Sequence, residues 1–250
     1  MFLATHGILS TLGEQYLPWS TDTYSFDYDG VSDYINVGND PLYNFEKDEQ
    51  FSISAWFKCG SSSNTQTIMA KANSSLQGYY IVVSPNGKVA FVIRDNNNDS
   101  FVAFPFPAYN DNQWHHVLVQ YDGTNSPSGI SMYIDGSSIS LSTSGSSSLS
   151  GSIQVSNDLQ IGARNSTALM NGLIDEPAIF SQNLGSVNAS SMYGSGSASD
   201  ITHLSPKGWW RAENATFNGS NWSVANAYKK GFNGTSVSMT SGSRVTDIPT

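Results

Sequence analysis

Charge is scarce in this chain, and so are cysteine, histidine and long apolar runs. Only 12% of its residues are Asp, Glu, Lys or Arg, with 11 basic against 20 acidic side chains and a formal net charge of −9. Binding a phosphate backbone needs a basic surface, so this balance argues against a nucleic-acid partner. No apolar stretch approaches about 18 residues, which argues against membrane insertion through a helix. The single cysteine, Cys59, has no partner for an internal disulfide. It follows Trp56-Phe57-Lys58 at the end of an apolar run and reads as a small buried side chain, not a reactive thiol. Adjacent His115 and His116 point to opposite faces of a strand and cannot chelate one ion from there. There is no Cys/His cluster with zinc spacing, no glycine-rich phosphate loop and no nucleophile elbow. Residues 1–20 lack the basic start and continuous apolar centre of a secretory signal.

What the chain has in quantity is small polar and turn-forming residues, with 22 glycines and aromatics at 12%. Many short strands joined by turns require such a composition, and large rings fill the space between two sheets. The clearest stretch is 112–136, NQWHHVLVQYDGTNSPSGISMYIDG. His115, Val117, Val119 and Tyr121 alternate with Trp114, His116, Leu118 and Gln120, and Ile130, Met132 and Ile134 with Ser131, Tyr133 and Asp135. Period-two patterning predicts two strands covered on one face. Asp122-Gly123 and Asp135-Gly136 are turn dipeptides, because Gly accepts positive φ and Asp bonds its own backbone. Burial is expected for Trp56, Phe57, Val117, Val119 and Ile134.

WHHVLVQYDG followed by SMYIDG resembles the central hairpin of laminin-G-like domains, within the concanavalin A-like lectin/glucanase superfamily. Other pieces fall in that family's order. Tyr24 to Val37, YSFDYDGVSDYINV, resembles its opening strand pair, and Phe51 to Phe57, FSISAWF, the strand that follows. LQIG at 159–162 and GLIDEPAIF at 172–180 resemble its closing strands. The likeness runs from about Thr21 to Tyr193 and implies an all-β fold, an antiparallel two-sheet jelly-roll sandwich. Two residues depart from the pattern. Ser32 stands where the family often has a second acidic residue, and Pro177 interrupts the apolar run after Asp-Glu.

Three parts are expected. Residues 1–20 form an N-terminal arm, held by its own domain or by a partner through Phe2, Leu3, Ile8, Leu9, Leu12, Tyr16, Leu17 and Trp19. Residues 21–193 form the sandwich. Residues 194–250 begin with a linker, GSGSASD, and continue as a C-terminal β extension that resembles the lead-in of a laminin-G-like module. That segment adds strands to its own sandwich or pairs with another chain. Within the sandwich, Pro105 and Pro107 make 101–109 an edge strand or an aromatic loop. Residues 137–156 read equally as an exposed strand pair or a flexible crossing, and 183–193 holds a short turn of helix.

Some relatives on this fold are glycosidases, which place two carboxylates at alternate positions on one strand face. Glu46 and Asp48 alternate but belong to a charged loop, and Asp175 and Glu176 are neighbours that a strand sends to opposite faces. The chain therefore reads as a non-enzyme. The resemblance implies a calcium site at a loop edge, formed by Asp29 and Asp33 around the Gly30 turn with Asp175 from the closing strand. Hard carboxylate and carbonyl oxygens suit Ca²⁺; the alternative is that Asp29 and Asp33 only shape the turn. Contributors to a carbohydrate-binding surface would be Tyr79, Tyr80, Arg94, Asn96, Phe106 and Tyr109, aromatics for stacking on sugar rings and polar groups for hydroxyls.

Two functions fit. The first is a non-enzymatic decoration or fibre-like protein on a virion surface, assembled in the host cytoplasm and displaying the sandwich toward surface glycans. An extracellular type of fold without an export signal suits it. The pairing of this domain with a GWWRAEN…NGTSVSM…RVTDIP tail also resembles small virion proteins of marine tailed phages. Its partners would be other virion proteins, through the arm and the C-terminal segment, with a homo-oligomer as a further arrangement. The second is an extracellular carbohydrate-binding module of a secreted polysaccharide-active system.

Overall fold

The computed structural model describes residues 17, 19–228 and 233–250. Strands β1 (Ser25–Asp29) and β2 (Tyr34–Gly38) flank a turn in which Gly30 has φ +71°. Strand β3 (Phe51–Cys59) carries the FSISAWF run. A meander follows: β4 (Gln66–Ala72), β5 (Gly78–Val83), β6 (Val89–Arg94) and β7 (Ser100–Pro105). The 112–136 stretch forms β8 (His115–Tyr121) and β9 (Ile130–Ile134). The remaining strands of the sandwich are β10 (Ser137–Ser138), β11 (Leu141–Gly145), β12 (Leu159–Ile161) and β13 (Asn171–Phe180), followed by helix α1 (Gly185–Tyr193). The C-terminal part supplies β14 (Gly208–Phe217), β15 (Trp222–Asn226), β16 (Gly234–Val237) and β17 (Arg244–Val245).

These strands make two antiparallel sheets. The first runs β17-β1-β13-β3-β8-β9-β10. The second runs β11-β7-β6-β5-β4-β12-β2-β16-β15-β14. Strand β14 also pairs with β13 through Trp209 and Gly208, so it closes a seam between the sheets. Between them lies the main core. Phe51, Phe57, Val117, Val119 and Ile134 face Tyr79, Ile81, Phe91, Ile93 and Phe101. Trp56, outside that cluster, is buried too, so all five residues expected to be buried are.

A third layer covers the outer face of the first sheet. Helix α1 and the chain around Ile201, Leu204 and Trp209 pack on Leu118, Tyr133, Ala178 and Phe180. Strand β8 is therefore buried on both faces: Val117 and Val119 in the sandwich, His116, Leu118 and Gln120 under the outer layer. The alternation implied a single covered face, because within β8 Leu118 stands between polar His116 and Gln120 on the outer side. The polar neighbours find partners inside, except that His116 Nδ1 is left without one. His116 Nε2 meets Ser54 Oγ at 2.9 Å, and Gln120 Oε1 accepts the amides of Leu184 and Gly185 at the start of α1.

The C-terminal segment folds in cis. Trp210 meets Tyr43 edge-on at 5.6 Å between ring centroids, and Trp222 meets Phe26 in the same way at 5.6 Å. Asp247 accepts bonds from Lys58 Nζ at 2.6 Å and Trp114 Nε1 at 2.8 Å. The GSGSASD run is not free chain: Ser199 Oγ donates to the Ser191 and Met192 carbonyls, tying the run to α1. Most of the arm lies outside the described residues. At its end the Leu17 amide donates to the Ala227 carbonyl at 2.9 Å, and Trp19 stacks on Trp209. Strand β7 sits one in from the edge rather than on it, because β11 pairs along it as far as Pro105, its last residue. Residues 137–156 thus supply an edge strand.

Gly162 shows how tightly the main core is closed. Its φ is +82°, and a Cβ there would sit 2.4 Å from the ring of buried Tyr28. Gly162→Ala is expected to cost about 2–4 kcal/mol through backbone strain and overpacking. A melting temperature within one degree of wild type would contradict this packing.

Candidate functional site

Two places in this frame collect functional side chains. The first is a buried acidic centre beneath the outer layer. Strand β13 breaks register between Asp175 and Ala178, where Glu176 has φ +51° and Pro177 offers no amide. In a regular strand Asp175 and Glu176 would point to opposite faces. The bulge brings both to one site with Asp22 and Glu213, and the ligand oxygens of all four lie within 4.8 Å of one another. Glu213 arrives from β14, where Trp209, Arg211 and Glu213 alternate on one side while Trp210 and Ala212 enter the main core.

Arg211 neutralises part of this charge. Its Nε donates to Glu176 Oε1 at 2.7 Å, its Nη2 lies 3.5 Å from Glu213 Oε2, and it donates to the Ser20 carbonyl at 2.9 Å. Its guanidinium lies over Trp19 at 4.1 Å and over Trp209 at 5.1 Å. Trp209 Nε1 donates to the other Glu176 oxygen. Glu213 Oε1 accepts the amides of Thr23 and Tyr24, each at 2.8 Å. Four buried oxygens have no donor: both of Asp22, Asp175 Oδ2 and Glu213 Oε2. Asp175 is only 1% exposed.

An unpaired buried carboxylate either takes a proton or meets a cation. Burial and the Glu213 charge push Asp22 up to about 7. Burial also pushes Glu176 up to about 8 against the pull of Arg211. For Asp175, burial and then the charges of Glu176, Asp22 and Glu213 raise it well above the carboxylate range. Asp22 and Asp175 can bond each other only when one of them holds a proton. The donor set is oxygen-only, deep and short of hydrogen bonds, which fits a hard divalent cation such as Ca²⁺. Asp22, Asp175 and Glu213 have the free oxygens to hold it, whereas Glu176 is engaged by Arg211 and Trp209.

Asp29 and Asp33 stand apart from this centre. Along β1 the register sets Asp29 opposite Asn171 and Phe26 opposite Ile174, so Asp175 lies about 13 Å farther along the pair. Asp29 Oδ1 accepts the amides of Val31, Ser32 and Asp33 at 2.8, 2.8 and 3.0 Å. Partial burial works to raise the Asp29 carboxyl, and those amides with the Ser32 hydroxyl outweigh it, leaving it below its ordinary value. Of the three residues grouped from the resemblance, only Asp175 belongs to the acidic centre. Asp22 and Glu213 were missing from that grouping. The W-x-R-x-E alternation at 209–213 was the legible signal for Glu213.

The second place is the outer face of the second sheet, where Tyr80 and Gln160 are buried and Asn36, Arg94 and Arg164 are half-buried. Cross-strand register sets Val102, Val92, Tyr80, Ala70, Gln160, Asn36 and Thr235 in one row. Tyr80 and its apolar neighbours form the floor. The 163–170 loop folds onto this face, held by the Thr67 amide on the Ala168 carbonyl and by Ser166, whose amide meets Gln160 Oε1 at 2.8 Å. From that loop Arg164 lies over the Tyr80 ring, 4.5 Å from its centroid. Arg94, paired with Gly78, is a diagonal neighbour of Tyr80 on the same face.

Of the six residues named for sugar binding, the structure gathers only Tyr80 and Arg94. Tyr79 faces the main core, where its hydroxyl donates to the Tyr43 carbonyl at 2.6 Å. Tyr109 is buried edge-on against His115. Asn96 is an exposed loop residue bound to Ser152 through its amide and side chain. Phe106 is 70% exposed and lies beyond the far end of β7, with Lys88 Nζ over its ring at 5.5 Å. Gln160, Asn36 and Arg164 entered through folding alone, and nothing local in their sequence marks them.

A laminin-G-type family model described as the Concanavalin A-like lectin/glucanases superfamily matches residues 29–187, more than half of the chain. The chain belongs to this superfamily. Among solved structures it is similar to a protein from Bacteroides ovatus ATCC 8483 described as a candidate carbohydrate binding protein. That match has 15% identity and TM-score 0.62, over 92% of this chain and 62% of the other. It is also similar to the binding domain of Paraclostridial Mosquitocidal Protein 1, with 17% identity and TM-score 0.53, over 74% and 46% of the two chains. A heptameric SAP-like pentraxin from Limulus polyphemus matches at 14% identity and TM-score 0.50, over 70% and 84%. At these identities the likeness is one of fold. The chain thus spans about three-fifths of the Bacteroides chain and about half of the mosquitocidal domain's chain. No curated protein matches.

Proposed function

We propose that this chain is a non-enzymatic carbohydrate-binding protein that takes sugars on the outer face of its second sheet. The observation that carries this reading is the contrast between the two outer faces. The first sheet's is buried under α1 and the C-terminal chain, while the second's carries no helix or strand among the described residues and leaves Asn36, Arg94 and Arg164 half-buried around the buried Tyr80 and Gln160. Lectin-type recognition uses that mixture of ring, amide and guanidinium. The buried carboxylates support a non-enzymatic role: Asp175 and Glu176 lie beneath the outer layer with Arg211 and cannot flank a glycosidic bond.

The acidic centre supplies the second part of the proposal, a structural Ca²⁺ held by Asp22, Asp175 and Glu213 that ties the residues before β1 to β13 and β14. Among the described residues no helix is long and apolar enough to cross a membrane. The fold of the relatives supports a role outside cells. The expected virion placement rests on the arm, mostly outside the described residues, and on the tail, which here pairs in cis. A glycan array probed with the full chain tests the sugar reading. Binding to a defined set of glycans that Tyr80→Ala lowers at least tenfold is the expected result. An array with no signal overturns it.

A further inference from the structure

Lys71, near the end of β4, is the one described lysine with no exposed surface. Its Nζ donates to Asn39 Oδ1 at 2.7 Å and to the Asn157 carbonyl at 2.6 Å, both neutral acceptors. Among the described residues no carboxylate stands within ion-pair distance of it. An ammonium buried without a paired anion is costly, and the neutral amine gains by comparison. Burial pushes Lys71 down to about 8, against the opposing pull of Asp158 and then Asp40. A neutral, buried amine is a nucleophile, and here it is held against a side-chain amide.

The strand order sets the two residues on either side of one strand. Leu159 of β12 pairs with Gly38 of β2 on one side and with Lys71 of β4 on the other. Asn39 follows Gly38, and Asn157 lies just before β12, so Lys71 reaches past the start of that strand to Asn39. With an ordinary hydrogen-bond angle at Oδ1, Asn39 Cγ lies about 3.5 Å from Nζ, the separation of reacting atoms in a near-attack arrangement. The Asn39 side chain makes no other hydrogen bond among the described residues, and the residue is exposed. It can therefore turn the face of its carbonyl to Nζ and release a leaving group to solvent.

We propose that Lys71 and Asn39 join in an isopeptide bond that staples β2 to β4 across β12. The Nζ lone pair attacks Asn39 Cγ, the Nζ–Cγ bond forms and the Cγ–Nδ2 bond breaks. One proton passes from Nζ to Nδ2, which leaves as ammonia. Nothing is oxidised or reduced, and no co-reactant is needed. Asp40 and Asp158, the chain neighbours of Asn39 and Asn157, supply carboxylates that relay the proton. The fold replaces a bimolecular encounter with a held pair, and escape of ammonia draws the step forward. The product exchanges a buried amine for a neutral amide. It closes residues 39–71 into a loop that persists on unfolding, as a disulfide would, in a chain whose single cysteine excludes an internal disulfide.

The test is intact-mass spectrometry of the full chain, fresh and after prolonged storage in the folded state. The expected mass is about 17 Da below that of the linear sequence, one ammonia lost. Proteolysis should yield a branched peptide that joins the segment holding Asn39 to the segment holding Lys71. Lys71→Arg and Asn39→Ala should each restore the full mass, and on a denaturing gel the looped wild-type chain should run ahead of both. Ring closure of an asparagine onto its own backbone loses the same mass, but that deficit survives Lys71→Arg and gives no branched peptide. The full linear mass in both wild-type samples, or a deficit that Lys71→Arg retains, overturns the isopeptide bond and leaves Lys71 as a hydrogen-bonded buried amine.

Discussion

Calcium in excess of its dissociation constant by about a hundredfold is expected to raise the melting temperature by about 5–10 °C at pH 8, and by much less at pH 5.5. Binding at that excess is worth about 2.7 kcal/mol, and each kcal/mol moves a domain of this size by about 2–4 °C. The pH dependence follows from the buried carboxyls. In the metal-free chain Asp22 is raised to about 7, Glu176 to about 8 and Asp175 well above its ordinary value, burial being the first cause in each. A carboxyl raised on folding is tolerated while it holds its proton, below the unfolded value near 4. Its contribution is lost as pH climbs through the folded value. Metal-free protein should therefore weaken between about pH 5 and pH 8. The cation displaces those protons and removes the loss. Asp175→Asn, which deletes one buried charge, should stabilise the metal-free chain at pH 8 and abolish the calcium response. A melting curve at pH 8 that EDTA and calcium leave unchanged would end the metal proposal.

The acid side has the opposite sign and another cause. His116 is fully enclosed, and burial lowers it from 6.5 to about 4. The unfolded chain takes up this proton first, so stability is lost as pH falls from 6.5 toward 4, by about 3 kcal/mol at about 1.4 kcal/mol per unit. His116→Gln should flatten that limb and leave the alkaline one in place.

The second large effect concerns the C-terminal segment. Removing residues 206–250 is expected to abolish cooperative folding, not to trim an appendage. It takes away β14 and β15, which pair with each other, and β16 and β17, which pair with β2 and β1. Trp209, Trp210 and Trp222 are buried in the process of folding. At about 150–250 Å² each and about 25 cal/mol per Å², each contributes about 4–6 kcal/mol, and together they rival the whole net stability of a typical domain. A soluble fragment with intact near-ultraviolet circular dichroism and a sharp melt would show that the sandwich stands without them.

The sequence made the hairpin legible because residues 114–134 alternate cleanly and end in Asp-Gly turns. It made the sandwich legible through the order of its strands. It did not reveal the outer layer, since α1 and the chain after it carry few apolar residues and their burial depends on the sheet beneath them. The acidic centre was half hidden for a local reason. Strand periodicity sends Asp175 and Glu176 apart, and only the bulge at Pro177 brings them together. Arg164 was hidden for a global one, because the 163–170 loop reaches Tyr80 only after β4 and β12 have paired.

The pairing of the opening strands also sets the order of events during synthesis. Among the described residues, strand β1 bonds only to β13 and β17, and β2 only to β12 and β16. Phe26, Tyr28 and Ile35 therefore leave the ribosome before any of the strands that β1 and β2 bond to among the described residues. At 5–20 residues per second, roughly 10–40 s pass between the emergence of β2 and that of β17. Throughout that interval the β1–β2 region has two strand edges and an apolar face to offer to any other nascent chain. With so many of its contacts between distant residues, this chain belongs among slow folders, which complete their sheets only after translation ends.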